Sequence, residues 1–216
     1  MNSSDRTLVI LGAGGHASVV AESAVRAGWR VVGIASRERP DASGPFAGAE
    51  WLGDPDGEDA RGRLAAQSAR GVGLHAAVGD GTVRKRWVSE CGGPLAFVSV
   101  IDPTALVSPS ATVDRGVFIA AGAIVHPRAT VGTGAIINTR AVVEHDCVVG
   151  EFAHVSPGAI LCGAVRVGHG AQVGAGAVVI PNRAVGAGAT VGAGAVVIRD
   201  IEPGFTAVGV PAVPRA

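Results

Sequence analysis

Of the six histidines in this 216-residue chain, His145 has the neighbours that proton transfer needs. Imidazole titrates near neutral pH, so it acts as a general base where a second group holds it. Asp146 follows directly and is placed to raise its basicity. Eighteen residues on is Gly163, and eighteen back is Pro127. If the chain winds in coils of eighteen residues, His145 has a residue without a side chain one coil away on the same corner. That leaves room for a ligand and a main-chain N–H beside the base, which are the parts of an oxyanion site. His154 lies nine residues after His145, half a coil. The two therefore sit on opposite sides of one prism, and they share a site only where two copies of the chain meet, as in a threefold assembly. His126, Glu144 and Cys162 fall in one column and form an incomplete zinc alternative. His75 and His169 read as structural or surface residues.

The eighteen-residue coil comes from a hexad. Stepping by six from Val107 to Val197 meets sixteen positions, all Val, Ile or Leu. Four residues after each is a small or apolar residue in fifteen of sixteen cases, Arg183 being the exception. Period six is neither a helical period nor simple alternation. It predicts a short strand, a sharp corner and another strand. Glycines such as Gly116, Gly134 and Gly176 recur three residues after the aliphatic, where the corner needs a permissive backbone. Three corners close one triangular coil, and successive coils stack at about 4.8 Å, the strand spacing.

The first hundred residues alternate strands and helices, which predicts a parallel sheet. Thr7–Leu11 reads as a buried strand, Ser18–Ala27 as a helix, Arg30–Ala35 as a strand and Pro40–Gly57 as loop. Asp59–Arg70 reads as helix, Leu74–Val78 as strand, Thr82–Glu90 as helix, and Leu95–Ile101 as a last strand into the coil. Gly12, Gly14 and Ala17 satisfy G-x-G-x-x-A after the first strand, where helix N–H groups can hold a phosphate. A dinucleotide enzyme would place Asp or Glu at the end of the second strand, and this chain has Ala35-Ser36-Arg37 there. The expected architecture is an α/β, Rossmann-like βαβ domain over residues 1–100 and an all-β parallel coil over residues 101–216.

Composition agrees. With 18 basic and 18 acidic residues the net charge is zero, which argues against nucleic acid or an anionic membrane surface as partner. The 33 glycines, 8 aromatics and absence of Tyr mean that the apolar content is mostly Ala and Val, which suits a narrow coil interior. No apolar run reaches the roughly 18 residues of a membrane span, and Met1–Arg6 shows no secretory leader pattern. Cys91, Cys147 and Cys162 lack metal-site spacing and read as free thiols of a cytoplasmic protein.

The hexad resembles that of left-handed parallel β-helix acyltransferases, and further stretches narrow the likeness. Leu11-Gly12-Ala13-Gly14-Gly15-His16, Ala77-Val78-Gly79-Asp80 with Arg84, Ser108-Pro109-Ser110-Ala111, and Asn138 with Glu144-His145-Asp146-Cys147 run in order. Gly150 to Gly158 and the tail Val208-Gly209-Val210-Pro211-Ala212 continue them. Together they resemble bacterial nucleotide-sugar acetyltransferases of the sialic-acid O-acetyltransferase-like group, especially N-acetyltransferases acting on 4-amino-4,6-dideoxy sugars.

That resemblance implies left-handed winding, a homotrimer with interface active sites, and acetyl-CoA as donor without a metal. It also implies direct acetyl transfer to the C4 amine of a nucleotide-linked sugar for surface polysaccharide. It makes His145 the base, Asp146 its tuner and the Gly163 N–H the holder of the thioester oxygen. It gives Asn138 and His154 to the donor, with Ala175 and Ala193 along the pantetheine path. Gly14, Gly15 and His16, with Gly79 and Thr82, would meet the nucleotide sugar. Ser36-Arg37 stands where relatives using uridine sugars tend to be acidic, which leaves GDP-perosamine as open as a UDP or dTDP sugar. Sugar O-acetylation and a catalytically silent nucleotide-sugar-binding scaffold stand as alternatives.

Overall fold

In the computed structural model, residues 6–41, 44–91 and 96–215 are described. The chain divides into two compact units, Met1–Pro103 and Thr104–Ala216.

The first unit is a four-stranded parallel sheet with helices between the strands. Its strands are β1 (Arg6–Leu11), β2 (Trp29–Ala35), β3 (Glu50–Trp51) and β4 (Gly73–Ala76), in the order β3-β2-β1-β4. Its helices are α1 (Gly15–Arg26), α2 (Glu58–Ala69) and α3 (Gly81–Glu90). Strand β3 corrects the reading of Pro40–Gly57 as loop. Only two residues long, it carries no alternation that a sequence could show, and it forms because Gly33 and Ile34 of β2 offer an open edge to Glu50 and Trp51. Of the expected last strand, Leu95 lies outside the described residues, Phe97 bridges to Leu74, and Val100–Ile101 is extended. The C-terminal turn of α1 is tied down by Arg26, whose Nη2 donates to Asp102 Oδ2 at 2.6 Å. Asp102 is fully buried, and a buried carboxylate is tolerated only with such donors.

The second unit is a left-handed parallel β-helix. Each two-residue strand ends on a hexad aliphatic, and each pairs with the strand eighteen residues away, as in Thr130↔Val148 and Val142↔Ile160. Three faces result. One runs from Thr112–Val113 to Ala184–Val185, one from Leu106–Val107 to Val196–Val197, and one from Phe118–Ile119 to Thr190–Val191, extended by Thr206–Val208. Hexad aliphatics and small residues from Val117 to Ala207 make one continuous buried cluster. Burying each valine removes apolar surface worth about 1.5 kcal/mol or more. Arg183, the exception in the hexad, is only half buried, and its guanidinium stands 3.6 Å from Asp200.

Candidate active site

Corner geometry places His145. It follows the strand Val142–Val143 and precedes Val148–Val149, so it projects from the corner between two faces, with its side chain exposed. Its Nδ1 lies 2.7 Å from Asp146 Oδ2. Donation from Nδ1–H to that carboxylate leaves the Nε2 lone pair free to take a proton. The ring lies over Gly163: a Cβ built there would stand 2.7 Å from His145 Cε1 and 2.8 Å from Nε2. Among the described residues no main-chain carbonyl takes the Gly163 N–H, so a proton acceptor and a hydrogen-bond donor share one corner.

The sequence reading did not name Arg128, which belongs to the same group. Its Nε and Nη2 donate to Asp146 Oδ1 and Oδ2 at 2.7 and 2.9 Å. That fork, and then the His145 hydrogen bond, hold the Asp146 carboxyl well below the usual carboxylate range. The residue was legible in principle, since 128 is one coil before 146.

Asn138 Nδ2 lies 3.0 Å from His154 Nε2, which joins two of the residues expected at the donor. Asn138 sits at the corner before Val142–Val143, and His154 on the adjoining face. Ala175 and Ala193 are exposed on that same Asn138 corner, one coil apart. Their methyl groups leave a smooth wall, which fits a long thin ligand arm better than bulky side chains would. His145 and the Asn138–His154 pair thus flank one face from its two edges. His126 Nε2 is 3.6 Å from Glu144 Oε1, and burial pushes the Cys162 thiol up. Among the described residues no group of three or more His, Cys, Asp or Glu could hold a metal ion.

In the first unit, Gly12 has φ 113°, and a Cβ there would stand 2.8 Å from the Ala77 carbonyl oxygen. Glycine is therefore required, and it turns the chain so that Gly14 caps α1 without any side-chain hydrogen bond. A helix start with no acidic residue in its first turn favours an anion. A cavity of about 400 Å³ is lined by Ala13, Ser18, Glu38, Arg39, Asp41 and Phe46 among others. Its wall at 38–41 and 44–46 was missed in the sequence because it has no periodicity. Ser36 is buried and its hydroxyl donates to the Glu38 carbonyl at 2.6 Å, while Arg37 is exposed and reaches Asp54 at 3.6 Å. The Thr82 N–H is committed to the Asp80 side chain at 2.8 Å, and the Gly79 carbonyl accepts from Arg84 at 2.7 Å. His16 is pushed down to about 4, by burial first and by Arg84 second. Burial likewise pushes His75 down to about 4. It is fully enclosed, with Nδ1 2.9 Å from the Val98 carbonyl.

A βαβ unit whose first helix starts at a glycine turn with no acidic residue, followed by a β-helix with a carboxylate-held histidine over a glycine, has the architecture of a hexapeptide-repeat acyltransferase. Residues 7–91 match the PglD N-terminal domain family. The chain is similar to a variant of perosamine N-acetyltransferase from Caulobacter crescentus, solved with CoA and GDP-perosamine. Identity is 38% over 97% of each chain, with a TM-score of 0.85. It is also similar to the acetyltransferase domain of PglB from Neisseria gonorrhoeae, solved with acetyl coenzyme A. There identity is 35% over 98% of this chain and 100% of that one, with a TM-score of 0.86. WeeI from Acinetobacter baumannii shares the fold at 20% identity and a TM-score of 0.73, over 97% of this chain and 99% of its own. A sequence search of curated proteins gives no match. The chain belongs to the bacterial nucleotide-sugar N-acetyltransferases of the hexapeptide-repeat family. Among the described residues no helix is long and apolar enough to cross a membrane.

Proposed function

We propose that this protein transfers the acetyl group of acetyl-CoA to the C4 amine of a GDP-linked 4-amino-4,6-dideoxy sugar of the perosamine type, with His145 as general base. One observation carries the reading: the His145 ring, held by Asp146 through Nδ1, presents Nε2 above the bare Gly163 main chain. An ammonium group has no lone pair, so the acceptor must lose a proton to become a nucleophile, and Nε2 is the atom that holds it. The Asp146 carboxylate stabilises the imidazolium so formed. The Gly163 N–H donates to negative charge developing on the acyl oxygen. Bound acetyl-CoA supplies an acyl carbon already activated as a thioester, and Asn138, His154, Ala175 and Ala193 are the residues that would hold it.

The guanosine nucleotide is supported by the Caulobacter crescentus enzyme's complex with GDP-perosamine. It is also supported by the end of β2, where Ser36 and Arg37 stand in place of acidic residues. Gly14, Gly15 and His16 would face the diphosphate, with His16 kept neutral by its surroundings. Three free cysteines fit a cytoplasmic enzyme supplying surface polysaccharide synthesis.

The catalytic form we propose is a homotrimer. The outward positions of one face are Leu106, Ile124, Val142, Ile160, Val178 and Val196, a column of aliphatic side chains, and Leu106 is 67% exposed. A large uncovered apolar stripe marks an interface. That face is bounded by the His145 corner on one edge and the Asn138 corner on the other. Three copies turning it towards a common axis would bring each His145 edge against a neighbour's Asn138 and His154, a head-to-tail contact that closes as a ring.

The test is thiol release from acetyl-CoA with GDP-, UDP- and dTDP-linked 4-amino-4,6-dideoxy sugars and their 4-hydroxy counterparts. Fastest release is expected with the GDP amino sugar. Release with hydroxyl acceptors alone would reassign the protein as an O-acetyltransferase, and sugar-nucleotide binding without release would make it a scaffold. Ile160→Lys should convert a trimer to monomers by light scattering; a monomeric wild type would refute the assembly.

A further inference from the structure

We infer that Arg128 is a positioning residue for acetyl transfer: it fixes the Asp146 carboxylate in the one orientation that holds His145 with Nε2 unprotonated. The inference rests on His145 being the base. Arg128 and Asp146 occupy equivalent places on successive coils, eighteen residues apart. Both have positive φ, 62° in each case. An arginine gains nothing from that backbone conformation, which disfavours a side chain and suits glycine. Residues kept in such a conformation cluster at functional sites.

What Arg128 provides there is a planar fork. Nε binds Oδ1 at 2.7 Å and Nη2 binds Oδ2 at 2.9 Å. The carboxylate plane is thereby fixed, and Oδ2 retains a direction free for His145 Nδ1 at 2.7 Å. The Asp146 main chain is held from the same coil, its N–H donating to the Pro127 carbonyl at 3.2 Å. Without Arg128 the carboxylate would rotate about its side-chain bonds, and His145 could adopt the other tautomer, with the proton on Nε2. An exposed ion pair of this kind adds little to stability, so the expected signature is kinetic. Lysine, a point charge, cannot reproduce a bidentate contact.

The experiment compares Arg128→Ala, Arg128→Lys, Asp146→Asn, the Arg128→Ala/Asp146→Asn double variant and His145→Ala in the full-length protein, with thermal melts to confirm folding. Nitrogen-15 spectra of the imidazoles, with His145 assigned by its loss in His145→Ala, report the tautomer without reference to activity. The expected results in Arg128→Ala are about a tenfold fall in kcat, KM values for both substrates changed by less than about twofold, and partial loss of the Nδ1-protonated form. Free guanidinium should restore much of kcat, Arg128→Lys should lie between, and Arg128→Ala should add nothing in the Asp146→Asn background. Wild-type kcat and tautomer in Arg128→Ala, with His145→Ala inactive, would reduce Arg128 to a surface ion pair. A loss undiminished in the Asp146→Asn background would also overturn the inference, because Arg128 would not be acting through Asp146. Full turnover in His145→Ala would instead remove the base assignment itself.

Discussion

Two corners of the β-helix share a backbone but not a residue type. At the corner carrying Asn138, the positive-φ position is occupied in successive coils by Gly122, Arg140, Gly158, Gly176 and Gly194. At the corner carrying His145 it is occupied by Arg128, Asp146, Ala164 and Asn182, with no glycine. The φ values barely differ, 55° to 68° in the first column and 59° to 62° in the second. A left-handed conformation costs a residue with a Cβ roughly 1–2 kcal/mol. One corner therefore takes the low-energy solution almost throughout, while the other bears that cost in full at Arg128 and Ala164 and in reduced form at Asp146 and Asn182, whose residue types tolerate the conformation better. Two of the four carry the Arg128–Asp146–His145 chain. The contrast shows where this fold departs from its own structural optimum, and the departure coincides with the proposed catalytic site.

The largest expected effect tests whether that coincidence is functional. His145→Ala should lower kcat for thiol release on the order of 10²- to 10⁴-fold, the usual contribution of a positioned general base, with an unchanged melting temperature. Undiminished turnover would leave the absence of glycine from that corner's positive-φ column without a purpose. Asp146→Gly sharpens the point, because it gives the backbone its preferred residue while removing the group that orients His145. It should lower kcat on the order of tenfold to a hundredfold, yet leave stability equal or higher. A variant that is less stable and fully active would reverse the comparison.

A smaller effect separates crowding by a side chain from crowding by backbone. At Gly163 the three atoms nearest a new Cβ all belong to the His145 ring, which can swing away. Gly163→Ala should therefore fold normally and lose about tenfold or more in kcat, since the displaced ring no longer presents Nε2. At Gly150 a Cβ would stand 2.6 Å from the His169 main-chain nitrogen and 2.8 Å from the Gly168 carbonyl carbon. Neither atom can move without distorting a coil. Gly150→Ala should cost about 1–3 kcal/mol in chemical denaturation and leave kcat per folded molecule unchanged. Equal stability losses in the two variants would mean that the His145 ring is as fixed as main chain.

How far the sequence carried depended on whether an interaction repeats. The coil was legible, because every hexad aliphatic makes the same contact eighteen residues away and the register holds from Val107 to Val197, while its left-handed winding came from the family resemblance. His145 over Gly163 was legible through the same arithmetic, and the turn at Gly12 through the G-x-G-x-x-A pattern after the first strand. Arg128 was missed because the eighteen-residue step was applied to position 145 and not to 146. Strand β3 and the cavity wall at 38–41 and 44–46 have no periodic signature, being set by the free edge of β2 and by packing near α1. Ser36 was named for its place in the chain, but its hydroxyl is taken by the Glu38 carbonyl, which no spacing reveals. Asn138 and His154 were both expected at the donor. Their direct contact at 3.0 Å depends on side-chain reach around a corner.

The smallest expected effect tests the cost of the corner itself. Ala164 has φ 59° and no role in the Arg128–Asp146 fork, while Gly188, on the third corner, has φ 63° and open space where a Cβ would go. Ala164→Gly removes the left-handed penalty of a Cβ but adds glycine's greater unfolded-state entropy, about 0.5–1 kcal/mol. It should stabilise the coil by about 0.5–1 kcal/mol. Gly188→Ala reverses both contributions at nearly the same dihedral, with no new contact to confuse the result, and should destabilise by a similar amount. The double variant should melt with the wild type, because the sites lie more than one coil apart and share no partner. Opposite signs of similar size would establish that the residue type alone distinguishes the two corners. A destabilised Ala164→Gly would show instead that the Ala164 methyl packs usefully, and that the His145 corner is less strained than its dihedrals indicate.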